Sequence, residues 1–104
     1  MTTLLIDTAG SDEVSVVLQV KDKEYVLREK VGRKKAQEVL PMIDRLLQEN
    51  SLTLDDITGI SVNAGPGSYT GLRVGISIAN ALGFLLNIPV NGLPVGKSVT
   101  PVYS

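Results

Sequence analysis

The stretch from residue 60 to residue 75 constrains the fold more than any other part of the chain. Apolar residues alternate with small polar ones up to Ala64, the chain breaks at Gly65-Pro66-Gly67, and apolar residues then recur at helical spacing. This order predicts a strand, a tight loop and a helix. Ser68 or Thr70 can cap such a helix, and a Gly-rich loop before a helix can bind an anion. Because the stretch has neither the Walker spacing nor the dinucleotide-binding spacing, a plain turn and a phosphate site both remain open.

The remaining periodicities predict an α/β domain. Apolar alternation and short apolar runs predict strands over residues 3–7, 14–20, 25–31, 57–64 and 89–92. Helical spacing predicts a first helix over 34–50 and a second over 69–86. Thr53 and Asp56 stand at capping-box spacing in the turn between the first helix and the fourth strand.

The first helix is predicted to be amphipathic, with one charged cluster at its start. Its apolar stripe is predicted to comprise Ala36, Val39, Leu40, Ile43, Leu46 and Leu47. Met42 is expected on the outward edge, and Pro41 is expected to kink the helix. Arg33-Lys34-Lys35 opposes the helix dipole. The cluster is interpreted either as an exposed solubilising group or as a group with a specific use.

The second helix is apolar around most of its girth. Its bulky face is predicted to cover the sheet and comprises Val74, Ile78, Ala81, Leu82 and Leu85. Small residues recur every fourth position, at Gly71, Gly75, Ala79 and Gly83. Because glycine weakens a helix, this row predicts that another helix packs closely against it. That helix is either the first helix of the chain or a helix of a partner.

Composition excludes several classes of function. A chain of 104 residues suits one domain, and its net charge of −1 gives no overall attraction to nucleic acid or to acidic membranes. It contains no histidine and no cysteine, which excludes His-based triads and His- or thiolate-bound zinc. No cofactor and no metal are therefore expected. Because no apolar run reaches membrane-spanning length, we expect a cytoplasmic protein.

The motif in residues 65–75 closely resembles the characteristic sequence of the TsaB (YeaZ) family, which acts in threonylcarbamoyladenosine modification of tRNA. Residues 4–9, 39–44 and 88–92 resemble the first strand, the first helix and the strand after the second helix of that family. The resemblance implies a single ribonuclease-H-like domain of the actin-like ATPase superfamily, with order βββαβαβ. Its mixed sheet would have five strands in the order 3-2-1-4-5, with both helices on one face. It also implies an N-terminal domain over residues 1–92 and an irregular tail over 93–104, without the usual second domain.

The same resemblance implies a non-catalytic subunit that binds the catalytic TsaD protein through its two helices. An ATPase, TsaE, joins that complex, tRNA is contacted only indirectly, and a homodimer competes for the same surface. Carried onto this chain, the interface comprises Lys35, Val39, Met42, Leu46, Leu72, Arg73, Gly75, Ile76, Ala79 and Asn80. Family members often carry a histidine near the position of Lys35, so the contacts that Lys35 itself makes in the interface remain open.

Two enzymatic alternatives share this topology. A ribonuclease-H-like nuclease needs several carboxylates around divalent metal. Asp7 at the end of the first strand could be one of them, but the fourth strand has Asn63 and no acidic residue. An actin-like nucleotide-binding enzyme would use the turn after Asp7 as a phosphate loop, but it closes its site between two domains. We therefore expect Asp7 and its turn to be structural.

Overall fold

The computed structural model describes residues 1–10, 12–67 and 69–102, with the main chain alone for Tyr69. Ser68, one of the two predicted caps, lies outside the described residues, as does the end of the predicted tail. The strands and helices are β1 (Thr2–Asp7), β2 (Glu13–Val20), β3 (Lys23–Lys30), α1 (Lys35–Glu49), a 3₁₀ turn (Leu54–Asp56), β4 (Gly59–Val62) and α2 (Tyr69–Leu86).

The sheet is mixed, and its strand order is β3-β2-β1-β4. The first three strands form an antiparallel meander, and β4 runs parallel to β1 with Leu4 beside Ile60. This order agrees with the prediction for the first four strands. Both helices contact the sheet and each other.

The predicted fifth strand is wrong, because the described residues pair with the outer edge of β4 at one point only, between Ile60 and Val90. The Ile60 N–H donates to the Pro89 carbonyl at 3.0 Å, and the Asn91 N–H donates to the Ile60 carbonyl at 2.8 Å. Asn91 then adopts a left-handed backbone with φ 53°, which turns the chain away. Its side-chain amide accepts from the Val62 N–H at 2.7 Å and donates to the Val62 carbonyl at 3.0 Å. A side chain thus supplies the next pair of hydrogen bonds that a strand would have made.

The core lies between the helices and one face of the sheet. Alternate strand residues on that face are buried, among them Leu4, Ile6, Val14, Val16, Leu18, Ile60 and Val62. On the opposite face, Leu5, Val17 and Ser61 are partly exposed and line an open cavity of about 330 Å³. None of the described helices is long and apolar enough to cross a membrane.

In α1 the buried stripe is rotated from the predicted one. Met42 is buried, whereas Leu40 is 49% exposed, so both predictions were wrong. The stripe that faces the sheet instead follows the spacing of Lys35, Val39, Met42, Ile43, Leu46 and Leu47. The helix runs through Pro41. Thr53 and Asp56 are paired as predicted, since the Thr53 N–H donates to the Asp56 carboxylate at 2.7 Å.

In α2 the small-residue row lies close to the sheet. Of the predicted bulky face, Leu82 is buried, whereas Leu85 is 75% exposed and Ala81 is exposed, so the prediction is wrong for Leu85 and Ala81. A Cβ on Gly75 would lie 2.7 Å from the Thr8 hydroxyl oxygen, and one on Gly83 would overlap with Val90. The close neighbours of the row are therefore β1 and the segment after α2. The nearest neighbours of Gly75 and Gly83 are therefore not helical, and this corrects the prediction that a helix approaches the row most closely.

Residues 93–102 form neither helix nor strand and pack against α2. Val99 is buried, and its main chain exchanges two hydrogen bonds with the Asn80 side chain, at 2.9 Å and 3.0 Å. The Val102 N–H donates to the Ala64 carbonyl at 2.7 Å. These contacts hold the segment on α2 and the preceding loop.

Candidate partner-binding surface

A polar cluster centred on Thr8 joins the end of β1 to both helices. The Thr8 hydroxyl donates to the Gly71 carbonyl at 2.5 Å and accepts from the Gly75 N–H at 3.0 Å. Gly71 and Gly75 are four residues apart in α2, the spacing at which a helix pairs a carbonyl with an N–H. The Thr8 hydroxyl therefore contacts both groups of one such pair. Such an approach requires residues without a Cβ, which explains glycine at Gly75.

Lys35 extends this cluster to the start of α1. Its side chain is buried, with 8% of the residue exposed, and its ammonium donates to the Thr8 carbonyl at 2.8 Å and to the Gly10 carbonyl. A buried ammonium is tolerated where carbonyl oxygens replace its water. Of the three cations in the basic cluster, Lys35 therefore has a specific structural use, whereas Arg33 and Lys34 are exposed.

The loop before α2 is held to β1 by amide and carboxylate groups. The Asn63 side chain accepts from the Gly65 N–H at 3.0 Å and donates to the Asp7 carboxylate at 3.2 Å. The same Asp7 oxygen accepts from the Ala9 N–H at 2.9 Å. Among the described residues, no group of three His, Cys, Asp or Glu side chains is arranged to hold a metal ion. Asp7 thus closes a turn and links two strands.

Most of the side chains predicted to contact a partner lie inside the core. Eight of the ten are buried, namely Lys35, Val39, Met42, Leu46, Leu72, Gly75, Ile76 and Ala79. A partner could reach them only if a helix moved away from the sheet. Arg73 is exposed, and Asn80 is half-buried with its amide bonded to Val99. Of these ten residues, only Arg73 is exposed.

An exposed groove between the two helices was missed by the sequence analysis. It has a volume of about 480 Å³ and is lined by Ala36, Leu40, Thr70, Arg73, Val74, Ser77 and Ile78. Its walls are mostly apolar side chains, with Arg73 as the one charged group among them. The sequence does contain a pattern that indicates this groove. Residues 36 and 40 of α1, and residues 70, 74 and 77 of α2, recur at helical spacing and so share one side of each helix. Leu40, Val74 and Ile78 are predicted from their spacing to lie on the buried faces.

Charge on the sheet side of α1 is locally balanced. Arg45 pairs with Glu29 of β3, and both side chains are partly exposed. The hydrogen bond to Glu29 raises the pKa of the Arg45 guanidinium above its usual value. Because the pair is exposed, it contributes little to stability.

The chain matches proteins of known family over most of its length. A family model described as TsaD, tRNA N6-adenosine threonylcarbamoyltransferase, matches residues 19–96. A relative from Buchnera aphidicola subsp. Schizaphis graminum, named tRNA threonylcarbamoyladenosine biosynthesis protein TsaB, is 37% identical over 90 residues. That alignment covers 86% of this chain and 42% of the relative. A protein of the same name from Escherichia coli K12 is 36% identical, over 89% of this chain and 40% of the relative.

A solved structure, described as YeaZ from Pseudomonas aeruginosa, superposes with a TM-score of 0.82 and 33% sequence identity. The superposition covers 89% of this chain and 43% of that one. Sheet, helices and connections together define an α/β domain with the YeaZ fold. The chain belongs to the TsaD-related family and, within it, to the TsaB (YeaZ) proteins, which confirms the resemblance found in the sequence. It spans less than half the length of these relatives.

Proposed function

We propose that this chain acts in the biosynthesis of threonylcarbamoyladenosine in tRNA, as a non-catalytic subunit that binds a TsaD-type catalytic subunit. Membership of the TsaB (YeaZ) proteins carries this proposal. The ribonuclease-H-like fold class is consistent with the strand order. The same proposal keeps the predicted division of the chain into a domain over residues 1–92 and a tail over residues 93–104.

The groove between α1 and α2 is the surface that best fits such a partner. Leu40 and Ile78 lie on opposite walls, and Arg73 lines the same groove. Apolar side chains with an arginine are typical of the centre of protein interfaces. This surface replaces the buried residues of the predicted interface, while it keeps both helices and Arg73.

Further partners follow from the same role. A TsaE-type ATPase would join through the complex, and a homodimer would form through the same groove when the catalytic subunit is absent. With a net charge of −1, the chain would contact tRNA only through its partner. A cytoplasmic location, without a membrane, fits these partners.

A non-catalytic role is supported by the contacts of Asp7. Its carboxylate is engaged by a main-chain N–H and by the Asn63 amide, at the place where a nuclease would need a second acid. No specific observation favours the nuclease or the nucleotide-binding enzyme.

The test is a calorimetric titration of the TsaD-type subunit with the wild-type chain and three variants. Leu40→Glu and Ile78→Glu put a carboxylate into the groove, and each should weaken binding by about tenfold or more. Val26→Glu is the matched control, since Val26 is 51% exposed on β3, against 49% for Leu40. Groove variants that bind as tightly as the control would contradict the proposed surface, and a wild-type chain that does not bind would contradict the proposed function.

A further inference from the structure

A second groove lies at the other end of α2, away from the surface just described. It has a volume of about 470 Å³ between the 3₁₀ turn and the last turn of α2. Leu54, Asp55, Leu85 and Pro89 are among its lining residues. Arg73 and Leu85 are separated by about 18 Å along a helix that rises 1.5 Å per residue. The two grooves can therefore be occupied independently.

The exposed side of α2 changes character along its length. Thr70, Arg73 and Ser77 are exposed on its first turns, whereas Phe84 and Leu85 are 77% and 75% exposed on its last turn. Leu54, 42% exposed, lies with Leu85 on the groove. Single exposed apolar residues are ordinary, but a cluster of large ones beside a groove is typical of an interaction site.

The groove carries negative charge at two points, the C-terminal end of α2 and Asp55. The last turn of α2 contains no basic residue, although the C-terminal end of a helix carries partial negative charge. Pro89 has no N–H to donate to the Leu85 carbonyl, four residues before it. Asp55 is exposed, and none of the described cations forms an ion pair with its carboxylate.

We propose that this groove docks a polypeptide segment of a partner protein in which a large apolar side chain is flanked by lysine or arginine. The apolar side chain contacts Leu54 and Leu85. The cation lies against Asp55 and the terminal carbonyls of α2. A second copy bound groove to groove would set Asp55 and the end of α2 against the same negative groups, and a nucleic acid would bring phosphates to them, so charge disfavours both. The proposal does not depend on the proposed function.

The test uses two synthetic helical peptides with identical leucine positions, one flanked by lysines and the other by glutamates. Fluorescence anisotropy at low salt should show saturable binding of the lysine peptide that weakens as salt is added. The glutamate peptide should bind at least about tenfold more weakly.

Variants assign the binding to this groove. Leu85→Ser should weaken the lysine peptide about tenfold, and Asp55→Asn about two- to fivefold. Asp55→Lys should shift the preference toward the glutamate peptide. Val26→Ser, an exposed apolar position on β3, is the matched control and should bind as wild type does. Circular dichroism of each variant shows that it is folded.

Three outcomes would overturn the proposal. The first is equal affinity of the two peptides, and the second is no binding of the lysine peptide. The third is a wild-type dimer in sedimentation that Leu85→Ser dissociates, which would make a second copy of the chain the occupant.

Discussion

Replacing Gly75 with alanine puts a methyl group into the contact between α2 and the end of β1. The added Cβ would lie 2.7 Å from the Thr8 hydroxyl oxygen and 3.4 Å from a methyl carbon of Ile6. Ordinary contact begins at 3.4 Å, so α2 has to move away from Thr8 by about 0.7 Å, the difference between 3.4 Å and 2.7 Å. Neither neighbour is the free end of a long side chain, so little of this shift can be absorbed locally.

The energy of this shift follows from three contributions. Overpacking of a well-packed contact costs ~1–3 kcal/mol. The Gly75 N–H, now 3.0 Å from the Thr8 oxygen, moves out to about 3.7 Å, and the lost hydrogen bond costs about 1 kcal/mol. Alanine offsets about 1 kcal/mol of this through its better helix propensity. We therefore expect Gly75→Ala to lower the free energy of unfolding by ~1–3 kcal/mol.

Urea unfolding followed by far-UV circular dichroism measures this difference. Ser77→Ala, on the exposed side of the same helix, is the matched control and should change stability by less than about 0.5 kcal/mol. Thr8→Ala removes the atom that the new methyl group meets. The double variant Thr8→Ala with Gly75→Ala should therefore lose less than the two single variants together. A Gly75→Ala variant as stable as wild type, or more stable, would refute the reasoning.

Three other predictions concern the remaining polar contacts. Lys35→Met should lower the free energy of unfolding by ~1–3 kcal/mol in urea titrations, because the buried Thr8 carbonyl and the partly buried Gly10 carbonyl lose their donor. Lys34→Met should change it little, and equal effects would contradict a specific use of Lys35. Asn91→Ala should speed hydrogen exchange of the Val62 amide, measured by NMR, and an unchanged exchange rate would mean that the side-chain pair contributes nothing. The purified protein should show no ATPase, peptidase or nuclease turnover, and any turnover that Asp7→Asn abolishes would contradict a structural role for that carboxylate.

The elements could be predicted from the sequence because their periodicities are strong. The bounds of α2 and the order of the first four strands agree with the structure. The fifth strand, predicted over residues 89–92, failed because Asn91 adopts a left-handed backbone conformation that ends the pairing after Val90. A short apolar run predicts that its side chains are buried. It does not predict whether the main chain goes on forming the hydrogen bonds of a β-sheet.

The orientation of α2 could not be predicted for a related reason. A row of small residues predicts a close neighbour without saying which neighbour it is, and here a threonine hydroxyl takes that place. Leu85 of the bulky row faces outward as a result, whereas Leu82 of the same row is buried.

Most residues of the candidate interface are buried, and their burial could not be predicted for the same reason. Core and interface residues are both apolar, so Met42 and Ile76 could not be told from residues such as Leu40 without knowing which side of each helix faces the sheet.

The position of β1 in the sheet has a consequence for the order of folding. β2 follows β1 after a short turn, whereas Thr2 of β1 bonds to Thr58, 56 residues further along. The entropy of closing a loop has to be overcome before such a distant contact stabilises the chain, so the meander of β1, β2 and β3 can form well before β4 is added. Until then β1 is an unpaired edge with Leu4 and Ile6 uncovered. An exposed strand edge of this kind is a place where a partly folded chain can pair with another copy and aggregate.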